Sequence, residues 1–372
     1  MEDRKLASIQ RILKIEPIEN ADAIEKATVL GWECVIAKKD GFKVGDLVVY
    51  FEVDSVVPPM PEFEFLRDRK FRIRTIKLRG QVSQGLVSPL KILPKKKVGY
   101  VEGDDVTEIM GVTKYLSPTE ATEKRMEEER VAREKSRIKR FLLRNKWYRR
   151  LFMAQSDRGF PKFIHKTDED RIQLFPNICE KEKETVFTVT EKLDGQSGTW
   201  FLVKEKTGLK WLLFRKPTLR FGVCSRNVYL RTPNNSSYWR IAKKYNIEGV
   251  LNKLIGDRDF VAIQGEIVGE GIQGNKYKVK DVDMYVFNLI NPDGKENYIV
   301  MSVVMETMGM KCVPLLDNKF NILQTIPEMV DYANGVSKIH DTAREGIVVR
   351  NYESGLSFKV ISPKFLLKHE DS

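Results

Sequence analysis

Between Thr185 and Gly195 the chain reads TVFTVTEKLDG, a β-rich run that sets one lysine, Lys192, among two carboxylates, Glu191 and Asp194. In a strand ending at Gly195 side chains alternate, so Lys192 and Asp194 share a face and Glu191 points to the other. Glycine then permits a sharp turn. A lysine amine is a nucleophile only when neutral, and with a pKa of about 10.4 roughly one in several thousand is neutral near pH 7. Neighbouring carboxylates worsen that by favouring the ammonium. The arrangement makes chemical sense if the carboxylates hold a divalent metal ion, whose charge outweighs theirs and depresses the lysine pKa. Further carboxylates must then converge from elsewhere in the chain.

Lys-x-Asp-Gly alone is weakly specific: three fixed positions arise by chance in roughly one chain in ten of this length. Other pieces follow it in order. They are Ser225-Arg226-Asn227, Gln264-Gly265-Glu266, the aromatic strand Met284-Tyr285-Val286-Phe287, then Glu345-Gly346-Ile347-Val348-Val349-Arg350 and Ser357-Phe358-Lys359-Val360. In that order they resemble the motifs of the covalent lysyl-AMP nucleotidyltransferases, the polynucleotide ligases and mRNA capping enzymes.

The resemblance implies roles. Lys192 attacks the α-phosphorus of ATP and forms a phosphoramidate, while Lys359 neutralises charge on the α-phosphate. Asp194, Glu266 and Glu345 hold Mg²⁺ or Mn²⁺ through its waters, as befits a hard ion that keeps its hydration. Glu191 and Arg226 fall among the nucleotide-binding residues, with Glu266. Tyr285 and Phe287, on one face by strand alternation, are candidates for stacking on adenine. Singly, each residue has a plainer reading: a hairpin lysine, solvated strand glutamates, core aromatics, a surface ion pair.

Those motifs need a scaffold, and composition narrows it. The 372 residues are 42% hydrophobic and 31% charged, with no apolar run long enough to span a bilayer. The N-terminal stretch has the features of neither a signal nor a transit peptide, which implies an intracellular, reducing compartment, cytoplasm or nucleus. Four scattered cysteines without a Cys-x-x-Cys pair argue against a zinc site or a disulfide framework. Three distant histidines leave little for histidine chemistry. The net charge of +12 suits a polyanionic partner.

The pattern of elements predicts an α+β chain in three parts. Residues 1–115 carry short β-rich runs (ASIQRILKI, WECVIAKK, DLVVYFEV, FRIRTIKL, GLVSPL), the signature of a small barrel such as an OB-fold. Arg72, Arg74, Lys77 and Arg79 with Phe71 would suit a nucleic-acid face, although the alternation slips near Thr75. Residues 116–160 read as a charged helical connector that begins with a capping box at Ser117 to Glu120. Residues 161–372 alternate strands with helices expected at 237–255 and 302–308. Gly269 to Gly274 matches G-x-G-x-x-G, but a β-rich stretch follows, so the dinucleotide-binding context is missing.

DNA ligases and capping enzymes carry an OB domain after the fifth motif, with its own catalytic segment, whereas this chain runs only from Lys359 to Ser372 beyond it. A β-barrel placed before the catalytic domain instead resembles the fifth family of ATP-dependent RNA ligases. That resemblance implies an N-terminal OB domain, a C-terminal adenylation domain with antiparallel sheets, and a monomer with no membrane. It also implies sealing of an RNA 3'-OH to a 5'-phosphate, as at a nicked duplex, in RNA repair. A DNA ligase, a GTP-using capping enzyme and a binding protein with a decayed catalytic domain are the alternatives. One position departs from the pattern: Ile361 stands where many ligases have a second lysine, leaving one phosphate-binding cation unassigned.

Overall fold

The computed structural model describes residues 4–94, 99–116, 160–165, 167–205, 218–230 and 235–369, with positions 121, 122, 125 and 233. Most of the expected connector and its capping box lie outside the described residues, as does the apolar run KWLLFRK at 210–216.

The N-terminal part holds β1 (Ala7–Pro17), β2 (Ile24–Val29), β3 (Trp32–Ala37), β4 (Leu47–Phe51), β5 (Ser55–Val56), β6 (Ile76–Leu78), β7 (Gln81–Ser83), β8 (Leu86–Pro89) and β9 (Thr113–Lys114). The main sheet has the order β3-β2-β1-β4-β8. β1 turns its corner: residues Ala7 to Arg11 pair with β4, residues Ile12 to Pro17 with β2, and the register shifts between Ile12 and Lys14. Such a shift bends a strand and lets one sheet curl toward a barrel. β4 is apolar along its length because both faces are covered. Val48 and Tyr50 pack with Trp32 on one side, and Val49 and Phe51 with Phe63 on the other. This is the OB-type barrel expected from the β-rich runs. The basic run does not form one face, since Arg72 stacks 3.7 Å from the Tyr115 ring centroid while Lys77 and Arg79 are exposed on the β6–β7 hairpin.

The C-terminal part contains α1 (Ile178–Lys181), β10 (Val186–Lys192), β11 (Gln196–Glu205), β12 (Thr218–Cys224), α2 (Ser237–Lys244), α3 (Ile247–Ile255), β13 (Phe260–Gly269) and β14 (Val282–Asn291). It continues with β15 (Gly294–Lys295), α4 (Tyr298–Thr307), β16 (Lys311–Cys312), β17 (Leu315–Asn321), α5 (Ile326–Ala333), β18 (Gly346–Arg350), β19 (Ser357–Ile361) and α6 (Pro363–His369). Two sheets result, β17-β10-β18-β19 and β12-β11-β13-β14-β15, antiparallel but for β16, which joins β14 in parallel. Helices α2, α3 and α4 cover one sheet and α5 covers the other, each over its own apolar cluster. The helix expected over 237–255 is two helices, because Asn246 adopts a left-handed conformation with φ 45° between them. The helix expected from Ser302 begins at Tyr298, where the Asn297 side chain accepts the Ile299 N–H.

β10 and β11 lie in different sheets, so the turn between them sets the spacing of the two layers. A Cβ on Gly195 would stand 2.3 Å from the Ile267 carbonyl oxygen and 3.0 Å from Glu266 Cγ. Only a residue without a side chain lets the end of β10 approach β13 this closely. Gly195→Ala should therefore cost about 1–3 kcal/mol of stability through forced displacement; urea unfolding monitored by tryptophan fluorescence would measure it, and an unchanged midpoint would contradict the close approach.

Candidate active site

Between the two sheets, and reaching the N-terminal barrel, lies a cavity of about 790 Å³. That is ample for a nucleotide-sized ligand. Strand pairing builds its floor. Lys192, the last residue of β10, pairs with Gly346 of β18. Glu345, the residue before Gly346, thereby reaches the Lys192 ammonium, and both its carboxylate oxygens lie 2.7 Å from Nζ. Glu266 enters from β13, opposite Ser197 on β11. Asp194, in the turn after β10, is held by the Lys276 ammonium, while its N–H donates to the Tyr277 hydroxyl at 2.8 Å.

Charge on this floor is balanced within the protein. Burial alone would lower the Lys192 pKa, but Glu345, Glu266 and Asp194 outweigh it, leaving the amine more firmly protonated than a free lysine. Burial pushes the Glu266 carboxyl up to about 8, with Glu345 and Asp194 adding to the rise against Lys192 and Arg226. Among the described residues the Glu266 side chain makes no hydrogen bond or ion pair, and no three acidic, histidine or cysteine groups stand close enough to ligate an ion directly. A half-buried carboxyl without a side-chain partner, beside two others, fits a hydrated divalent cation, which needs carboxylates to receive its waters rather than to replace them.

Cations occupy the opposite wall. Lys359 lies on β19, which pairs with β18. Burial brings its ammonium down to about 7, with repulsion from Lys192, Arg171 and Arg4 that Asp168 only partly offsets. Asp168 collects three of these cations: Arg226 donates to it, Lys114 lies at 3.2 Å and Lys359 at 3.8 Å. Burial works against the charge on Asp168, yet Arg226, Lys359 and Lys114 hold its carboxyl well below the usual range. Asp168 is thus an anion standing on a cation cluster suited to phosphate.

Asp168 belongs to a seam that carried no motif. The Lys359 N–H donates to the Asp170 carbonyl at 2.7 Å, and Arg171 bridges to Lys359 in parallel pairing. Arg171 in turn donates to Asp54 at 3.3 Å and lies 5.4 Å from the Trp32 ring centroid, while the Gly31 N–H donates to the Gln173 carbonyl at 2.9 Å. The seam therefore docks the barrel onto the catalytic sheets and brings Arg4, Arg72 and Lys114 to the cavity.

Of the residues singled out in the sequence, Lys192, Asp194, Arg226, Glu266, Phe287, Glu345 and Lys359 line this one cavity. Tyr285 does not; Lys311 Nζ lies 5.7 Å from its ring centroid, outside the cavity. The pairing of β13 with β14 slips between Gln264 and Gly265, so that Phe287 is the extra residue. Strand alternation cannot register such a bulge. Arg350 secures Phe287 by donating to its carbonyl at 3.1 Å. Glu191 also lines the cavity, and its Oε2 accepts the Lys338 N–H at 2.8 Å, supporting the loop that leads to Glu345. Its other oxygen, Oε1, is buried without a hydrogen-bond partner among the described residues, although side chains at 191 and 192 diverge. The glycine-rich stretch after β13 presents Gly271, Gln273 and Lys276 to the cavity, a contribution hidden behind its false dinucleotide pattern.

Comparison with known proteins agrees with this geometry. A family model described as an OB-fold domain matches residues 6–90, and one described as RNA ligase matches residues 185–361. A search of curated proteins found no match. Among solved structures, the Naegleria gruberi RNA ligase, as an aspartate-to-alanine mutant without ligand, superposes with a TM-score of 0.79 at 32% identity over 100% of both chains. The chain belongs to the RNA ligase family. It is an ATP-dependent member, with an OB domain ahead of a nucleotidyltransferase domain. Two more structures of the Naegleria gruberi enzyme are similar, one with PPi (TM-score 0.78, 33% identity) and a lysine-to-alanine mutant with ATP and Mn (0.78, 32%). Each covers 99% of this ligase and 100% of that chain.

Two predictions follow from the cation wall of the ligase. Asp168→Asn should tighten metal-free ATP binding by roughly fivefold, about 1 kcal/mol, because no carboxylate must then leave the phosphate site; titration calorimetry would show it, and weaker binding would contradict it. With its pKa depressed to about 7, Lys359 should be largely neutral at pH 8. A bound phosphate raises that pKa, so ATP binding should take up a proton at pH 8 that it does not take up at pH 6. Calorimetry in two buffers of different ionisation heat would count it, and the count should fall in Lys359→Met.

Proposed function

We propose that this RNA ligase joins an RNA 3'-OH end to a 5'-phosphate end through a lysyl-AMP intermediate, as in the repair of nicked RNA duplexes. The observation that carries this is the Lys192 ammonium held at 2.7 Å by Glu345 on a cavity floor shared with Asp194 and Glu266. Deprotonated Lys192 Nζ attacks the α-phosphorus of ATP, forming the N–P bond as the P–O bond to pyrophosphate breaks. Lys359 faces the charge that develops on the α-phosphate, where a fixed cation in a dry site is most effective. Arg226, freed from Asp168, contacts ribose or phosphate, and Phe287 stacks on the adenine. Asp194, Glu266 and Glu345 would hold Mg²⁺ or Mn²⁺ through its waters; bound there, the ion neutralises phosphate charge and lowers the lysine pKa.

AMP then passes to the RNA 5'-phosphate, and the RNA 3'-hydroxyl displaces it. The domains act as residues 1–115, which grip RNA, a connector over 116–160, and the adenylation domain over 161–372, in a monomer. All four cysteines are free and three are buried, which supports a reducing, intracellular setting. Among the described residues no helix is long and apolar enough to cross a membrane.

Intact mass spectrometry after incubation with ATP and Mn²⁺ should show one added AMP on the wild type and none on Lys192→Ala. Ligation of nicked duplexes should require RNA at the 3'-hydroxyl side. Transfer from GTP alone would mark a capping-type enzyme, indifference to DNA at that side a DNA ligase, and absence of any adduct a decayed domain.

A further inference from the structure

We propose that Lys276 is a phosphate-binding cation of the adenylation site, supplying the charge that Ile361 cannot. Two lysines stand on the floor, each on its own carboxylate: Lys192 on Glu345 and Lys276 on Asp194. When both carboxylates are engaged elsewhere, as the ligase reading on which this inference rests requires, both ammonium groups lose their partners together. One becomes the nucleophile. The other remains a cation beside the reacting phosphate.

Three features suit Lys276 to this. Its side chain is only 14% exposed and lines the cavity, so a charge there is weakly screened. Its Nζ lies 4.9 Å from the Phe365 ring centroid, which supports the ammonium without neutralising it. The loop that carries it is closed on itself, because the Asn275 side chain accepts the Val279 N–H and donates to the Val279 carbonyl, both at 3.0 Å. Ile361 lines the same cavity two residues on from Lys359 and pairs with Gly346, next to Glu345. Lys364 and Lys368, the other lysines near that strand, are exposed on α6.

A lysine transplanted to 361 should therefore replace one lost at 276. The experiment measures single-turnover adenylylation by intact mass for wild type, Lys276→Met, Ile361→Lys and the double variant, and ATP affinity by calorimetry for the same set carrying Lys192→Met. Lys276→Met should slow adenylylation roughly 100-fold and weaken ATP binding without changing the melting temperature. Adding Ile361→Lys should restore at least a tenfold part of the rate, and affinity should move in parallel. Lys364→Met and Lys368→Met should leave the rate unchanged.

Adenylylation by Lys276→Met within threefold of wild type would overturn the proposal. So would an active Ile361→Lys protein whose double variant is no faster than Lys276→Met, since that marks Lys276 as a mere anchor for Asp194. Should lysine at 361 prevent folding, Lys276→Cys alkylated with 2-bromoethylamine decides: regained rate supports the cation role, and none refutes it. The wild-type adduct, read in the same assay, tests the ligase reading separately.

Discussion

The Lys192–Glu345 contact is the constraint around which the site is organised. A half-buried ammonium in this cavity is steadied by pairing, and here it is paired by both oxygens of one carboxylate. This keeps the Lys192 amine charged. In the proposed reaction the nucleophile would thus rest in an inert form until something else satisfies Glu345.

The rest of the architecture serves that placement. Glu345 and Lys192 come from adjacent antiparallel strands, so their spacing is a property of sheet register rather than of side-chain flexibility. Glu266 comes from the other sheet, and the Gly195 turn brings that sheet close enough to matter. Arg344, next to Glu345, donates to the Ala333 and Tyr332 carbonyls at the end of α5, so the helix holds the loop that holds the carboxylate. Glu191 braces the same loop from the reverse face of β10.

On the opposite wall, excess positive charge is relieved by Asp168 in place of a substrate. Lys359, Arg226 and Lys114 would otherwise face each other across a low-dielectric space. A carboxylate is a reasonable surrogate for phosphate because it presents acceptor oxygens to the same donors with less charge, so it is displaced rather than locked in. The barrel contributes to this wall through Lys114, Arg72 and Arg4, which makes the cavity a joint product of both domains.

Much of this was readable from the chain. The motif order located Lys192, Glu266, Glu345 and Lys359, and the β-rich N-terminal runs announced the barrel, because catalytic residue types and strand patterning are local properties. Alternation separated Glu191 from Lys192 correctly but could not register the bulge at Phe287, which exists only in the pairing of two strands. Asp168, Arg171 and Lys276 bear no motif at all. Their positions follow from edge pairing with β19, from docking of the barrel, and from the closure of one loop. Sequence by itself determined which groups are competent for the proposed chemistry; the tertiary structure decided which charges face them. Coulomb interactions depend on distance and dielectric, and neither is set until distant segments are packed together.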